Sequence, residues 1–223
     1  SYQARNQWVA DAAYNLQRVR FQRDRALYEP GRTTSSISVG LRRDTRDDPL
    51  DTRGGNYIRT RLEMAGGPLG GASDYNRSTL EVMSFRPLLG AVLGIHSQFS
   101  GIDASGDLSR VAEYEQFYLG GDRSVRGYGR GEIGADRVGE LAFNGQLELR
   151  LPIATHAVVL YVDAGQVWTD FSEIAIDDLR RASGVGLRYN SRFGLIRFDV
   201  AVAHDDGSLG DNVALYFGVG QAF

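Results

Sequence analysis

Between Leu195 and His204 the side chains alternate strictly: Ile196, Phe198, Val200 and Val202 fall on one face, Arg197, Asp199, Ala201 and Ala203 on the other. Period two marks a half-buried strand. The pattern recurs along the chain and predicts strands over 6–19, 33–44, 56–66, 74–86, 90–102, 138–151, 156–168, 181–190, 194–204 and 213–223. Their apolar series run Trp8, Ala10, Ala12, Tyr14, Leu16; Ile37, Val39, Leu41; Ile58, Thr60, Leu62, Met64; and Leu89, Ala91, Leu93, Ile95. They continue with Leu141, Phe143, Leu147, Leu149, Leu151; Val158, Leu160, Val162; Val185, Leu187, Tyr189; and Leu215, Phe217, Val219. The opposite faces carry Arg59, Arg61, Glu63, Gln146, Glu148, Arg150 and Arg188. A charged face of this kind lines a water-filled barrel and not the core of a sandwich. Segments of roughly ten residues also have the length that crosses a bilayer when tilted. The expected fold is all-β: a transmembrane antiparallel up-and-down β-barrel wall of about ten strands.

The connections support an up-and-down order. Those at Arg86-Pro87-Leu88-Leu89, Pro152-Ile153-Ala154-Thr155 and Ser191-Arg192-Phe193 are tight, and those at 20–32, 103–137, 169–180 and 205–212 are longer. The 45–55 connection is the longest on the short side, and 67–73 the shortest on the long side. Outer-membrane barrels put short turns on the periplasmic side and long loops outside, so the last strand is expected to run down towards the periplasm.

Composition is compatible with this and excludes other classes. The 28 Gly, 11 Tyr and 10 Phe against 5 Pro favour short strands and tight turns over helix bundles. A formal net charge of -3 lacks the basic excess of a nucleic-acid binder. With no Cys there are no disulfides and no thiolate metal sites, which suits a chain exported unfolded through an oxidising compartment. No run of 18 apolar residues is present, so no transmembrane helix is expected. The mean hydropathy of -0.29 does not argue against a membrane barrel, because alternating faces average out. The start has neither the n-region nor the h-region of a signal peptide, so the chain reads as mature or cut from something longer.

The longest connection, 103–137, contains Gly120-Gly121-Asp122-Arg123-Ser124-Val125-Arg126-Gly127-Tyr128. Within it, Val125-Arg126-Gly127-Tyr128 resembles the [VI]-R-G-[FY] tetrapeptide of the BamA/TamA family of outer-membrane assembly and translocation barrels, the bacterial surface antigen domain. Phe117-Tyr118-Leu119-Gly120-Gly121-Asp122, Leu147-Glu148-Leu149-Arg150-Leu151-Pro152 and Tyr161-Val162-Asp163-Ala164-Gly165-Gln166-Val167-Trp168 are similar to it as well. So are Val185-Gly186-Leu187-Arg188-Tyr189 and Gly218-Val219-Gly220-Gln221-Ala222-Phe223, in the right order over about the last 180 residues. The Gly-Gly-Asp-Arg-Ser run leans towards the TamA branch, the translocation and assembly module.

The residues and the resemblance point to one trio. Alternation puts Glu148 and Asp163 on adjacent strands with both side chains facing the lumen, where a guanidinium fork on an infolded loop would be pinned by them. Gly127 would allow a tight turn behind Arg126, and Tyr128 would pack on the wall. The resemblance implies the same anchoring of the loop arginine, without deciding whether Glu148 or Asp163 is the main partner. The competing reading is a solvated arginine and two carboxylates that keep the pore wet.

On the last strand Leu215, Phe217 and Val219 are expected outward and Tyr216, Gly218 and Gly220 inward, with Phe223 closing an outward-facing series. Phe217, Gly218, Gly220 and Phe223 resemble the C-terminal signal by which such barrels are themselves assembled; an aromatic girdle is the simpler alternative. The glycines fit a strand that must part, or make room for bulky neighbours. The resemblance implies a lateral seam, handling of unfolded outer-membrane or secreted proteins in a lipid bilayer, possible periplasmic chaperones or partner subunits, and a Gram-negative outer membrane. It implies neither cofactor nor nucleic acid. Family barrels resemble sixteen-stranded rings with five strands after the signature loop; this chain has five on either side of it. The six N-terminal strands and the polypeptide-transport-associated domains are expected to lie outside it, making it the C-terminal portion of a larger machine.

Two other classes share parts of this pattern. A ten-stranded outer-membrane protease would use His204-Asp205-Asp206 as a general-base cluster, but a polar loop start explains those residues more simply. His96 and His156 have no partner spacing for a metal or triad, and Ser100 and Ser105 no elbow motif. A passive pore lined by Arg59, Arg61, Glu63 and Arg188, or a secretion pore serving one partner, are the remaining alternatives.

Overall fold

The computed structural model describes residues 8–19, 32–71, 73–104, 111–134, 139–192, 194–204 and 213–223. Ten strands follow one another: β1 (Trp8–Val19), β2 (Arg32–Asp44), β3 (Gly55–Ala65), β4 (Tyr75–Leu88), β5 (Ala91–Asp103), β6 (Leu141–Ile153), β7 (His156–Trp168), β8 (Arg180–Ser191), β9 (Gly194–Ala203) and β10 (Val213–Val219). Each pairs antiparallel with its sequence neighbours, in the order β1 to β10 of a single sheet. The up-and-down reading is therefore correct, and among the described residues no ladder joins β10 to β1.

The register aligns the two faces across strands. Leu149, Leu160, Val185, Val200 and Leu215 are successive partners from β6 to β10 and form one outward apolar row. Phe198 packs on Phe217 in the same layer, with ring centroids 4.8 Å apart. All of these side chains but the half-buried Leu149 are exposed, Leu215 by 76% and Phe217 by 64%, as lipid-facing residues are. On the other face Arg126, Glu148, Asp163, Arg188, Arg197 and Asp199 are buried instead. A charged buried face behind an exposed apolar one inverts the arrangement of a soluble sheet.

The sheet curls around its charged face. The 111–134 segment touches that face at Thr34 of β2, where the Tyr114 hydroxyl lies 2.8 Å from Oγ1, and at Tyr216 of β10, which hydrogen-bonds Gly127 at 2.9 Å. Contacts to both ends of a ten-stranded sheet require it to wrap. Tight turns set the wall's lower rim: Leu89 (φ 50) and Gly90 (φ 85) form the β4–β5 turn, and Ala154 (φ 53) opens the β6–β7 turn. Positive φ at such corners matches the right-handed twist of paired strands. Leu89, which the sequence gives both to the tight connection and to the apolar series of the next strand, sits in the turn because Leu88 and Ala91 are the last paired residues.

The end of the chain departs from the sequence reading. β10 stops at Val219, Gly220 takes φ 94 and donates to the Leu195 carbonyl at 2.7 Å, and the chain turns inward. Phe223, expected on the outward face, stacks inside on Phe85 (5.9 Å) and His96 (5.3 Å). The alternation that reaches Val219 ends at a glycine whose conformation other residues rarely adopt.

Candidate functional site

The segment between β5 and β6 is pinched into a narrow double strand. Leu119 and Ile133 exchange backbone hydrogen bonds at 2.9 and 3.1 Å, and Gly121 donates to the Tyr128 carbonyl at 3.0 Å. Gly120 (φ 105) and Gly121 (φ 96) supply left-handed conformations, and a Cβ on Gly120 would collide with the Gly129 carbonyl oxygen. The tip so formed, 122–127, is driven into the curled sheet. Apolar packing holds its base: Val125, Tyr128 and Ile133 cluster with Ala142, Val167, Ala182 and Ala203.

Arg126 is fully buried at that tip. Its Nε and Nη2 donate to the two oxygens of Asp163 at 2.7 and 2.8 Å, and its backbone N–H adds a third bond to the same carboxylate at 3.0 Å. Nη1 donates to Glu148 at 2.9 Å and lies 3.7 Å from Asp199. The guanidinium carbon stands 3.4 Å from the centre of the Tyr161 ring, so one face of the cation is stacked while its edge is bound. Burial alone would lower the Arg126 pKa, but the bonds to Asp163 and the fields of Asp163, Glu148 and Asp199 outweigh it and raise it. Sequence placed Arg126, Glu148 and Asp163 in one lumen, and here all three meet. Of the two candidate partners, Asp163 makes the larger share of the bonds.

Several contacts were missed. Asp199 and Tyr161 share faces with residues already singled out, Arg197 and Asp163, so period two contained the signal. Asp122 of the loop receives Arg197 at 2.6 Å, and Gln146 donates to the Ser124 carbonyl at 2.8 Å. Tyr216 of the last strand accepts from the Gly127 N–H at 2.9 Å and donates to the Tyr128 carbonyl at 3.1 Å. Gly127 (φ 102) passes so close to the wall that a Cβ would meet the backbone nitrogen of Ala203 at 3.0 Å. Tyr128, expected on the wall, is buried and donates to the Arg181 carbonyl at 3.2 Å. Phe217 points outward and Gly218 inward against Arg197.

The residues of the protease alternative lie elsewhere. His204 follows the end of β9, with its Nε2 2.9 Å from the Ser183 hydroxyl; Asp205, Asp206 and Ser105 fall outside the described residues. His96 sits between Gln146 (3.0 Å) and Glu81 (3.2 Å), His156 against Tyr189 (5.0 Å), and Ser100 beside Thr79 (3.4 Å). No group of three potential metal ligands occurs among the described residues.

An infolded loop arginine bound to two wall carboxylates is a specific arrangement inside a ten-stranded antiparallel sheet. The model of the Omp85 superfamily domain matches residues 1–223. The chain belongs to the Omp85 superfamily. This Omp85 chain is 29% identical over 208 residues to the outer membrane protein assembly factor BamA of Nitratidesulfovibrio vulgaris, covering 86% of this chain and 26% of that protein. It is 32% identical over 164 residues to the chloroplastic protein TOC75 of Pisum sativum, covering 67% of this chain and 19% of the relative. The structure of BamA from Haemophilus ducreyi lacking POTRA domains 1–3 shares the fold, with a TM-score of 0.70 at 19% identity over 85% of this chain and 42% of that one. The Omp85 chain is thus a partial outer-membrane β-barrel, spanning about 26% of its BamA relative's length.

Proposed function

We propose that this chain is the C-terminal wall of a Gram-negative outer-membrane barrel that inserts or translocates other proteins, with its loop locked into the lumen by Arg126. The fully buried ion cluster of Arg126, Asp163 and Glu148 carries this reading. Taking these charges out of water is costly, and the cost is offset only when every partner is present. The loop is therefore seated or unseated, with little between. Seated, it braces β6, β7 and, through Tyr216, β10. The outer edge of β10 then stands as a row of main-chain donors and acceptors to which an unfolded client's strand adds, the side chains of Leu215, Phe217 and Val219 continuing into lipid. Partners in this reading are the bilayer, unfolded client chains and periplasmic factors that deliver them.

The test is assembly of a client barrel by the full-length protein in proteoliposomes, comparing wild type with Arg126→Ala. Client folding is expected to slow about tenfold or more while the strand content of the variant is kept. Wild-type rates in a variant whose loop has become accessible to protease would overturn the proposal.

A further inference from the structure

Among the described residues four buried arginines face the lumen, and three of them, Arg150, Arg188 and Arg197, have donors without a hydrogen-bond partner; the first two share a cavity. Arg150 spends its Nε on Glu148 at 2.9 Å, but its Nη1 and Nη2 are buried and have no hydrogen-bond partner among the described residues. Arg188 spends Nη1 on Asp199 at 2.6 Å, while its Nε and Nη2 make no hydrogen bond there and Nη2 stands 3.5 Å from Glu148. Both residues are more than nine-tenths buried, at 4% and 2% exposure. Charged donors in such positions are normally paired, because an unmade bond to a buried cation is expensive.

Both arginines line one cavity of about 230 Å³ at the short-turn end of the wall, with Thr52, Val92, Ala157 and Gln221. Asp51 and Arg53, also on its lining, pair with each other at 3.4 Å, so the Asp51 carboxylate already has a cation of its own. The rings of Phe85 and Phe223 lie 5.2 and 5.3 Å from the Arg150 guanidinium carbon and limit how far that side chain can swing. Of the lumen carboxylates, Glu148 and Asp163 are engaged with the loop arginine and Glu148 also with Nε of Arg150, while Asp199 gives Oδ1 to Nη1 of Arg188 and its Oδ2 makes no hydrogen bond among the described residues.

We propose that this cavity is an oxyanion site that takes one carboxylate or phosphate group on the free Nη pair of Arg150, with Arg188 supplying further charge. Two parallel N–H donors on one guanidinium match the two oxygens of either group, a geometry lysine cannot reproduce. The site is separate from the loop pin: it uses the donor edge that Arg150 turns away from Glu148.

Isothermal titration calorimetry of the detergent-solubilised full-length protein with inorganic phosphate and with acetate, at constant ionic strength set by chloride, tests this without reference to client assembly. Saturable heat is expected for at least one, and the tighter of the two identifies the group the site was built for. Arg150→Gln should weaken that binding at least tenfold. Ala157→Leu, which leaves every charge in place and fills the cavity, should weaken it similarly, so a fold defect in the arginine variant cannot mimic the result. No saturable heat with either anion, or equal binding in wild type and Ala157→Leu, would overturn the proposal.

Discussion

The Arg126 cluster makes its strongest demands at the level of single side chains. Removing the guanidinium leaves Asp163 and Glu148 buried without their counter-charge, a loss of about 3–5 kcal/mol. Arg126→Ala is therefore expected to lower the unfolding midpoint of the barrel clearly, and Arg126→Lys to rescue little, since an ammonium cannot bind two carboxylates in fork geometry while stacking on Tyr161. Asp163→Asn should cost more than Glu148→Gln in the link to Arg126, because Asp163 accepts three bonds from that residue and Glu148 one. Double-mutant cycles with Arg126→Ala read this directly, and a larger coupling for Glu148 would contradict it. Glu148 has a second duty to Arg150 and Arg188, so its total effect on stability is a different quantity. Much of this was legible in the sequence, because side-chain parity is fixed by period two and carboxylates two strands' pleats apart had to share a face. The choice between Asp163 and Glu148 was not, because it depends on how the loop backbone presents its own N–H.

Strands were located to within a few residues by alternation alone, since each of them exchanges an apolar face for a polar one at every step. Their ends were less legible. β10 was expected to reach Phe223, and the pattern offered no sign that Gly220 would break it, because a glycine fits an inward position and a left-handed turn equally well. Turn chemistry offers two tests. Leu89 holds φ 50 while fully exposed, so Leu89→Asn or Leu89→Gly is expected to stabilise the β4–β5 hairpin by about 1 kcal/mol, seen as a raised midpoint; a lowered one would mean the leucine has contacts that matter. In the β2–β3 turn partial burial would raise the Asp47 pKa, but N–H donors from Arg53, Asp48 and Gly54 win and hold the carboxyl below its usual range. A depressed folded pKa stabilises the turn above the ordinary carboxylate pKa of about 4 and loses that contribution as pH falls through the folded value. Protection of the Arg53 and Gly54 amides, corrected for the intrinsic pH dependence of exchange, should accordingly be high at neutral pH and fall in acid, whereas Asp47→Ala should show low protection throughout.

For the molecule as a whole, the decisive feature is an unclosed sheet. The two outermost strands differ: every described side chain of β1 is exposed on both faces, while β10 alternates with its inward residues partly covered by the loop and by Arg197. Among the described residues β10 is also the shortest of the ten strands, at seven residues. An unpaired edge in a membrane cannot be satisfied by water, so this chain expressed by itself is expected to associate edge to edge in detergent, at a mass above its own by light scattering. A monodisperse monomer with protected amides along both β1 and β10 would show instead that the two edges meet. Fold class and strand order were readable because they follow from alternation and connection length. Curvature was not, because it depends on what lies inside: the wall bends around the 111–134 segment, whose path no periodicity encodes.

One hydroxyl joins these scales. Tyr216 belongs to the terminal strand, yet both of its hydrogen bonds are made to the loop, one to Gly127 and one to Tyr128. Departure of β10 from the wall and withdrawal of the loop from the lumen are therefore linked events, and linkage is reciprocal: by whatever factor a seated loop slows the strand's release, a docked strand slows the loop's. A single oxygen atom thus ties the last strand and the infolded loop into a shared latch, which Tyr216→Phe would divide into two independent ones.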